Sequence, residues 1–186
     1  MPNYRLAVIV GSVRNGRRGP TVANWFAGRA ALREEVDLDL VDVADYQHPS
    51  DMSGHPDSQR FASHIEAADA VVIVTPEYNH SFPGPLKTAI DSVGPAFRGK
   101  PVAFVSYGGM AGGLRSVEAL RLVFAEMHAA TVRDTVSFHN PWGEFDENGA
   151  LRNPEQAEAA ATRLLDQLAW WASALRTARD ASPYPG

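Results

Sequence analysis

The chain has no cysteine. Disulfides, thiolate nucleophiles, cysteine-ligated zinc and iron–sulfur clusters are therefore excluded. No run of apolar residues approaches the roughly 20 needed to span a bilayer. There is no basic excess either. The formal net charge is −5, which argues against nucleic acid as the main partner, because phosphate-backbone binding rests on clustered Lys and Arg. The six histidines are scattered and form no HExxH pattern, so no metal site is read. No charged region followed by an apolar stretch and a small-residue cleavage site precedes the first strand-like run. These absences lead us to expect a cytoplasmic protein with no metal, no membrane and no nucleic-acid partner. What is present is ordinary for a globular chain. It has 186 residues, 45% of them apolar, read as one domain over 1–186 with a tail from about residue 180.

Strand and helix patterns alternate. Strands are expected over Tyr4–Val10, Val36–Val43, Ala70–Thr75, Pro101–Ser106 and Ala130–Val136. The second alternates strictly and reads as a half-exposed edge, whereas the third is continuously apolar and reads as buried on both faces. Helices are expected from Pro20, over Arg60–Ala67, and along the stripes Leu86/Ile90/Val93 and Leu114/Val117/Leu120/Phe124/Met127. A last helix is expected to start with Asn153 as cap, Pro154 at its first position and Gln156 closing a capping box. Its buried stripe is read as Ala161, Leu164, Leu165, Leu168, Trp171 and Leu175. The segment Ala44–Gln59 reads as loop. Five strands alternating with five helices at this length imply an α/β three-layer sandwich. Its parallel sheet has the flavodoxin-like order 2-1-3-4-5. Ligands of such sheets bind at the carboxyl ends of the strands where the order reverses, so three loops should meet there.

The first loop is Gly11-Ser12-Val13-Arg14-Asn15-Gly16-Arg17-Arg18-Gly19. Backbone N–H groups at a helix N-terminus favour anions. Ser12 adds a hydroxyl, and Arg14 with Arg17 or Arg18 can fork onto phosphate oxygens. A Walker A loop is excluded, because Arg17-Arg18 stand where Lys then Ser or Thr are required. The dinucleotide fingerprint is also absent, so a monophosphate fits best. A solvated basic loop is the competing reading. The second loop runs from Thr75 through Pro76-Glu77-Tyr78-Asn79-His80-Ser81 to Lys87. Its amide, phenol, carboxylate and freely pointing N–H groups suit a planar heterocycle. Glu77 and Lys87 are read as an ion pair, within the chain or between subunits, and His80 as a rim group. The third loop, Ser106 to Gly113, carries four glycines and can lie flat against a ring, with plain flexibility as the alternative. Trp142 is read as packing, or as lining the mouth of a neighbouring subunit's site.

Gly11-Ser12-x-Arg14 and Pro76-Glu77-Tyr78-Asn79-x-Ser81, followed by Leu86-Lys87-x-Ala89-Ile90-Asp91, resemble the signatures of the NADPH-dependent FMN reductase family. That family includes quinone, chromate and azo-dye reductases. The likeness runs from Arg5 to Met127. It implies non-covalent FMN, with Ser12, Arg14 and Arg17 on the phosphate. Pro76, Glu77, Tyr78 and Asn79 would contact the isoalloxazine and ribityl chain, and Ser106, Gly108 and Gly109 would flank the ring from the other side. It further implies NADPH or NADH as hydride donor, and a quinone, free flavin, azo compound or similar small molecule as acceptor. A homodimer or homotetramer is implied too. No protein residue is assigned a catalytic step, since the flavin performs the chemistry. Many members carry Ser and Asn where Arg17 and Gly19 stand here. Two other readings stay open: an electron carrier with no NAD(P)H oxidation of its own, and a non-redox protein binding another phosphate ligand. The modest acidity and basic first loop favour the enzyme over the carrier.

Overall fold

The computed structural model describes residues 3–185. Met1, Pro2 and Gly186, the last of which belongs to the expected tail, lie outside the described residues. The strands are β1 (Tyr4–Val10), β2 (Val36–Asp42), β3 (Ala70–Pro76), β4 (Pro101–Gly108) and β5 (Ala130–His139). They form one parallel sheet in the order β2-β1-β3-β4-β5. The helices are α1 (Gly19–Ala30), α2 (Pro56–Ala67), α3 (Gly84–Asp91), α4 (Leu114–Glu126) and α5 (Glu155–Ala181), with single 3₁₀ turns at Val43–Asp45 and Gly94–Phe97.

Alternation along each strand builds two cores. Leu6, Val8, Val72, Val74, Ala103 and Val105 pack under α1 and α5, against Val22, Phe26, Leu164 and Leu168. Ala7, Ile9, Val71, Ile73, Val102 and Phe104 pack under α2, α3 and α4, against Phe61, Ile90, Leu120 and Phe124. Central strands buried on both faces must be apolar throughout, as β3 is. Register then places the strand ends side by side. Val10 lies beside Asp42 and Val74, Pro76 beside Tyr107, and Gly108 beside His139.

Three expectations are corrected. Helix α2 begins at Pro56, because the His55 ring accepts the Asp57 N–H at 3.2 Å and Pro56 starts the first turn. Helix α5 begins at Glu155 with Pro154 as its N-cap and no side-chain cap, so the Asn153–Gln156 box is not formed. Trp171 leaves the buried stripe and is 38% exposed, while Ala169 and Ala172 face the sheet. Small residues let the helix lie close, and the indoles of Trp170 and Trp171 splay to its flank. Helix α5 ends at Ala181, and beyond it the Tyr184 ring packs edge-on against His128.

Candidate functional site

The first loop leaves β1 at Gly11, whose N–H donates to the Val74 carbonyl at 2.9 Å. Ser12 then turns inward and is fully buried. Its Oγ accepts from the Tyr107 phenol at 3.2 Å. Burial pushes that phenol up to about 12, so Tyr107 remains a donor at neutral pH. Gly19 lies against Ser12, and any Cβ there would collide with Ser12 Oγ. Arg17 also turns inward. Its Nη1 donates to the Ser12 carbonyl and to Asp42 Oδ1, the latter at 2.6 Å. The hydrogen bond to Asp42 raises the Arg17 guanidinium above its ordinary range. Ser12 is thus closed off from solvent, and Arg17 is committed to two partners. Arg14 stays exposed, with its guanidinium 5.5 Å from the Tyr78 ring centroid, a cation–π distance. Arg18 has no carboxylate partner among the described residues. Helix α1 starts without a side-chain cap. Among the described residues, the backbone N–H groups of Val13, Arg14, Asn15 and Gly16 have no protein acceptor.

The second loop is a tight hairpin. Tyr78 and Ser81 exchange backbone hydrogen bonds at 2.8 and 3.0 Å. Asn79 and His80 between them have φ of 50° and 74°, the left-handed pair that a two-residue type I′ turn demands. The N–H groups of Tyr78 and Ser81 are therefore spent, and those of Asn79 and His80 remain at the exposed tip. Pro76 belongs to β3 and is buried beside Tyr107. Glu77 does not pair with Lys87. Its Oε1 accepts from Arg115 Nε at 2.7 Å and its Oε2 from the Arg115 backbone N–H at 3.2 Å. Glu77 thereby caps α4 from another loop, where Gly113 offers no side chain. Lys87 binds Asp91 one turn along α3 at 2.7 Å.

The third loop is shorter than its sequence implied, because Ser106, Tyr107 and Gly108 continue β4. Ser106 is buried, and its Oγ donates to the Gly112 carbonyl at 2.9 Å. The Ser137 hydroxyl donates to the same carbonyl at 2.7 Å. Ser106 therefore shapes the loop from below. Gly108 is buried, with Gly113 N 3.1 Å and Glu77 Cβ 3.3 Å from where its Cβ would stand. Gly109 is exposed beside Asn140. Asn140 ties β5 to this edge by donating its N–H to the Gly108 carbonyl at 2.7 Å. Trp142 is not packed within the chain. It is 57% exposed, in a turn closed by the Gly143 N–H on the Asn140 carbonyl. The structure thus gathers Arg14, Tyr78, Asn79 and Gly109 on three neighbouring loops, with Pro76, Glu77, Ser106 and Gly108 beneath them.

The sequence profile described as NADPH-dependent FMN reductase matches residues 4–143. The chain belongs to this family. A quinone reductase from Pseudomonas putida is 33% identical over 181 residues, covering 90% of this chain and 94% of its own length. An NAD(P)H-dependent FMN reductase from Schizosaccharomyces pombe is 36% identical over 122 residues, and the match spans 60% of that relative's length. Among solved structures, the flavoenzyme NAD(P)H:(acceptor) oxidoreductase FerB from Paracoccus denitrificans superposes with a TM-score of 0.73. It is 22% identical and the match covers 90% of this chain and 97% of FerB, a likeness of fold.

The donor set fits the family's cofactor. Unpaired N–H groups and an uncapped helix N-terminus suit a phosphate. Arg14 and Arg18 bring cationic charge, and the Tyr78 ring, the hairpin-tip N–H groups and Gly109 suit a flat ring with acceptor edges. Sequence reasoning overlooked Tyr107 and Asp42, which organise this site, and the pairing of Arg115 with Glu77. Only Tyr107 had a local signal, since continuing the alternation Ala103, Val105, Tyr107 puts it on the α1 face with the first loop.

Proposed function

We propose that this chain is an FMN-dependent NAD(P)H oxidoreductase acting on quinones or free flavins. The observation that carries the reading is the run of unpaired N–H groups before uncapped α1, with Arg14 stacked on Tyr78 at its rim. When bound, FMN supplies the redox chemistry, accepting hydride from NAD(P)H and passing electrons to the acceptor. The residues here bind and orient. Arg14, Arg18 and the Val13–Gly16 N–H groups would hold the phosphate. Tyr78, the Asn79 N–H and Gly109 would address the ring, while Pro76, Glu77, Ser106 and Gly108 keep its two flanking loops in place. The reading includes a cytoplasmic location and a homo-oligomer, the latter supported by exposed Met110 and Trp142.

Titration of ligand-free protein with FMN, followed by steady-state NADPH and NADH oxidation with a quinone, tests this. Saturable flavin binding and quinone-dependent turnover are expected, with sedimentation of the same sample showing more than one copy. A protein that stays colourless in excess FMN would refute the reading. FMN uptake without NAD(P)H oxidation would make it a carrier.

A further inference from the structure

We propose that Arg17 is a latch rather than an anion ligand, and that with Asp42 it aims the Val13 N–H into the anion-binding loop. The proposal rests on the cofactor reading above, with the FMN phosphate in the Gly11–Gly19 loop.

Asp42 is the last residue of β2 and lies beside Val10 in register, one position before the loop begins. Its Oδ1 accepts from Arg17 at 2.6 Å and from the Ala44 N–H at 3.0 Å. The two side chains of the pair are each 19% exposed, so water screens them little. The same Arg17 Nη1 also donates to the Ser12 carbonyl. One carboxylate and one guanidinium therefore join the end of β2, the turn after it and the Ser12–Val13 peptide of the loop. In a planar trans peptide the C=O and the following N–H point in opposite directions. Drawing the Ser12 carbonyl onto Arg17 therefore turns the Val13 N–H the other way. That N–H has no protein acceptor among the described residues. Arg17 is neutralised by Asp42, so it contributes geometry to the loop rather than net charge.

This arrangement makes an unusual prediction. Asp42 is a negative charge beside an anion site. If Arg17 were itself a phosphate ligand, neutralising Asp42 would free it and tighten FMN binding. If Arg17 is a latch, the same change releases the Ser12 peptide and weakens binding. Ligand-free wild type, Asp42→Asn, Arg17→Ala and the double variant should be titrated with FMN and with riboflavin, which lacks the phosphate, by flavin fluorescence. The latch predicts about a tenfold loss of FMN affinity in Asp42→Asn, the scale of one hydrogen bond to a charged group. Riboflavin affinity should hold, and the double variant should be no worse than either single one, because both break one device. Asp42→Ser, which keeps an oxygen for the Ala44 N–H, carries the same prediction should Asp42→Asn fold poorly. Unchanged or tighter FMN binding in these variants overturns the latch, as does an equal loss for riboflavin. Wild-type protein that binds no FMN overturns the cofactor reading itself, and the latch with it.

Discussion

Glu77→Ala should loosen both loops that flank the proposed ring site. The Glu77 side chain is 9% exposed and reaches across from the β3 loop to the start of α4. Its carboxylate takes the Arg115 Nε–H at 2.7 Å and the Arg115 backbone N–H at 3.2 Å. Removing it costs a helix cap, about 1 kcal/mol, and a negative charge at a helix N-terminus, about 0.5 kcal/mol. The Arg115 side chain is 44% exposed, so the ion pair is counted at a surface value of about 0.5–1 kcal/mol. The sum is about 2–2.5 kcal/mol, or a fall in Tm of about 4–10 °C for a chain of this size. The Glu77 N–H to Tyr107 carbonyl bond, 3.0 Å, survives the change. Thermal unfolding of ligand-free Glu77→Ala, Arg115→Ala and the double variant measures the effect. The cycle should return a coupling of about 0.5–1 kcal/mol, because Arg115→Ala alone leaves the backbone cap intact. A Tm within 1 °C of wild type, or strict additivity, would refute the account. FMN affinity should fall in parallel, since binding must then re-order two loops.

Gly113→Ala should cost about 3 kcal/mol or more and lower Tm by about 6–12 °C. Gly113 has φ of 87°, and a Cβ there would stand 2.7 Å from Tyr107 N, which is strand backbone that cannot yield. Gly109→Ala, whose Cβ would meet nothing closer than 3.9 Å, is the control and should leave Tm unchanged; equal effects would refute the steric argument. Lys100 is 7% exposed, with its Nζ on the Ile65 and Glu66 carbonyls at the end of α2. Burial pushes it down from 10.5 to about 8. The unfolded chain then binds more protons between pH 8 and 10.5, so this residue's contribution to stability improves as pH rises through that window. Below pH 8 both states are protonated and the cost of burying the charge is present in full. The stability of Lys100→Met relative to wild type should therefore decline from pH 8 to 10.5 in denaturant titrations, and a constant difference would refute the assignment.

The sheet order was legible because each pattern switch, from period two to the helical period, left a trace in apolar residues. The loops were legible as places, since glycine and arginine after an apolar run mark a turn that can face an anion. Partnership across the sheet was not legible. The Arg17–Asp42 pair has no local trace because the carboxylate stands on another strand, and only the register of Val10 against Asp42 brings them together. Glu77 looked like the partner of Lys87 because they share a loop and helix. Yet β3 and β4 are neighbours, so Arg115 arrives from the next helix while Lys87 is satisfied by Asp91 on its own. Pro56 carries the same first-turn signal as Pro20, masked by the polar segment around it.

The braces share a chemical logic. Asp42 is spent on Arg17 and Glu77 on Arg115. The Ser106 and Ser137 hydroxyls are spent on one carbonyl, and the Ser12 hydroxyl accepts from Tyr107. Each bond fixes a loop, and each consumes an acceptor or a negative charge. What stays open is the opposite kind: N–H groups at Val13–Gly16 and at the hairpin tip, with Arg14 and Arg18 beside the first of these. A site furnished with donors and cations, with Asp42 and Glu77 spent on arginines, selects a ligand rich in acceptors. This resolves how a chain of net charge −5 can be suited to a phosphorylated flavin. Asp42 and Glu77 are neutralised by the arginines they hold, so Arg14 and Arg18 weigh more at the loop than the total charge suggests.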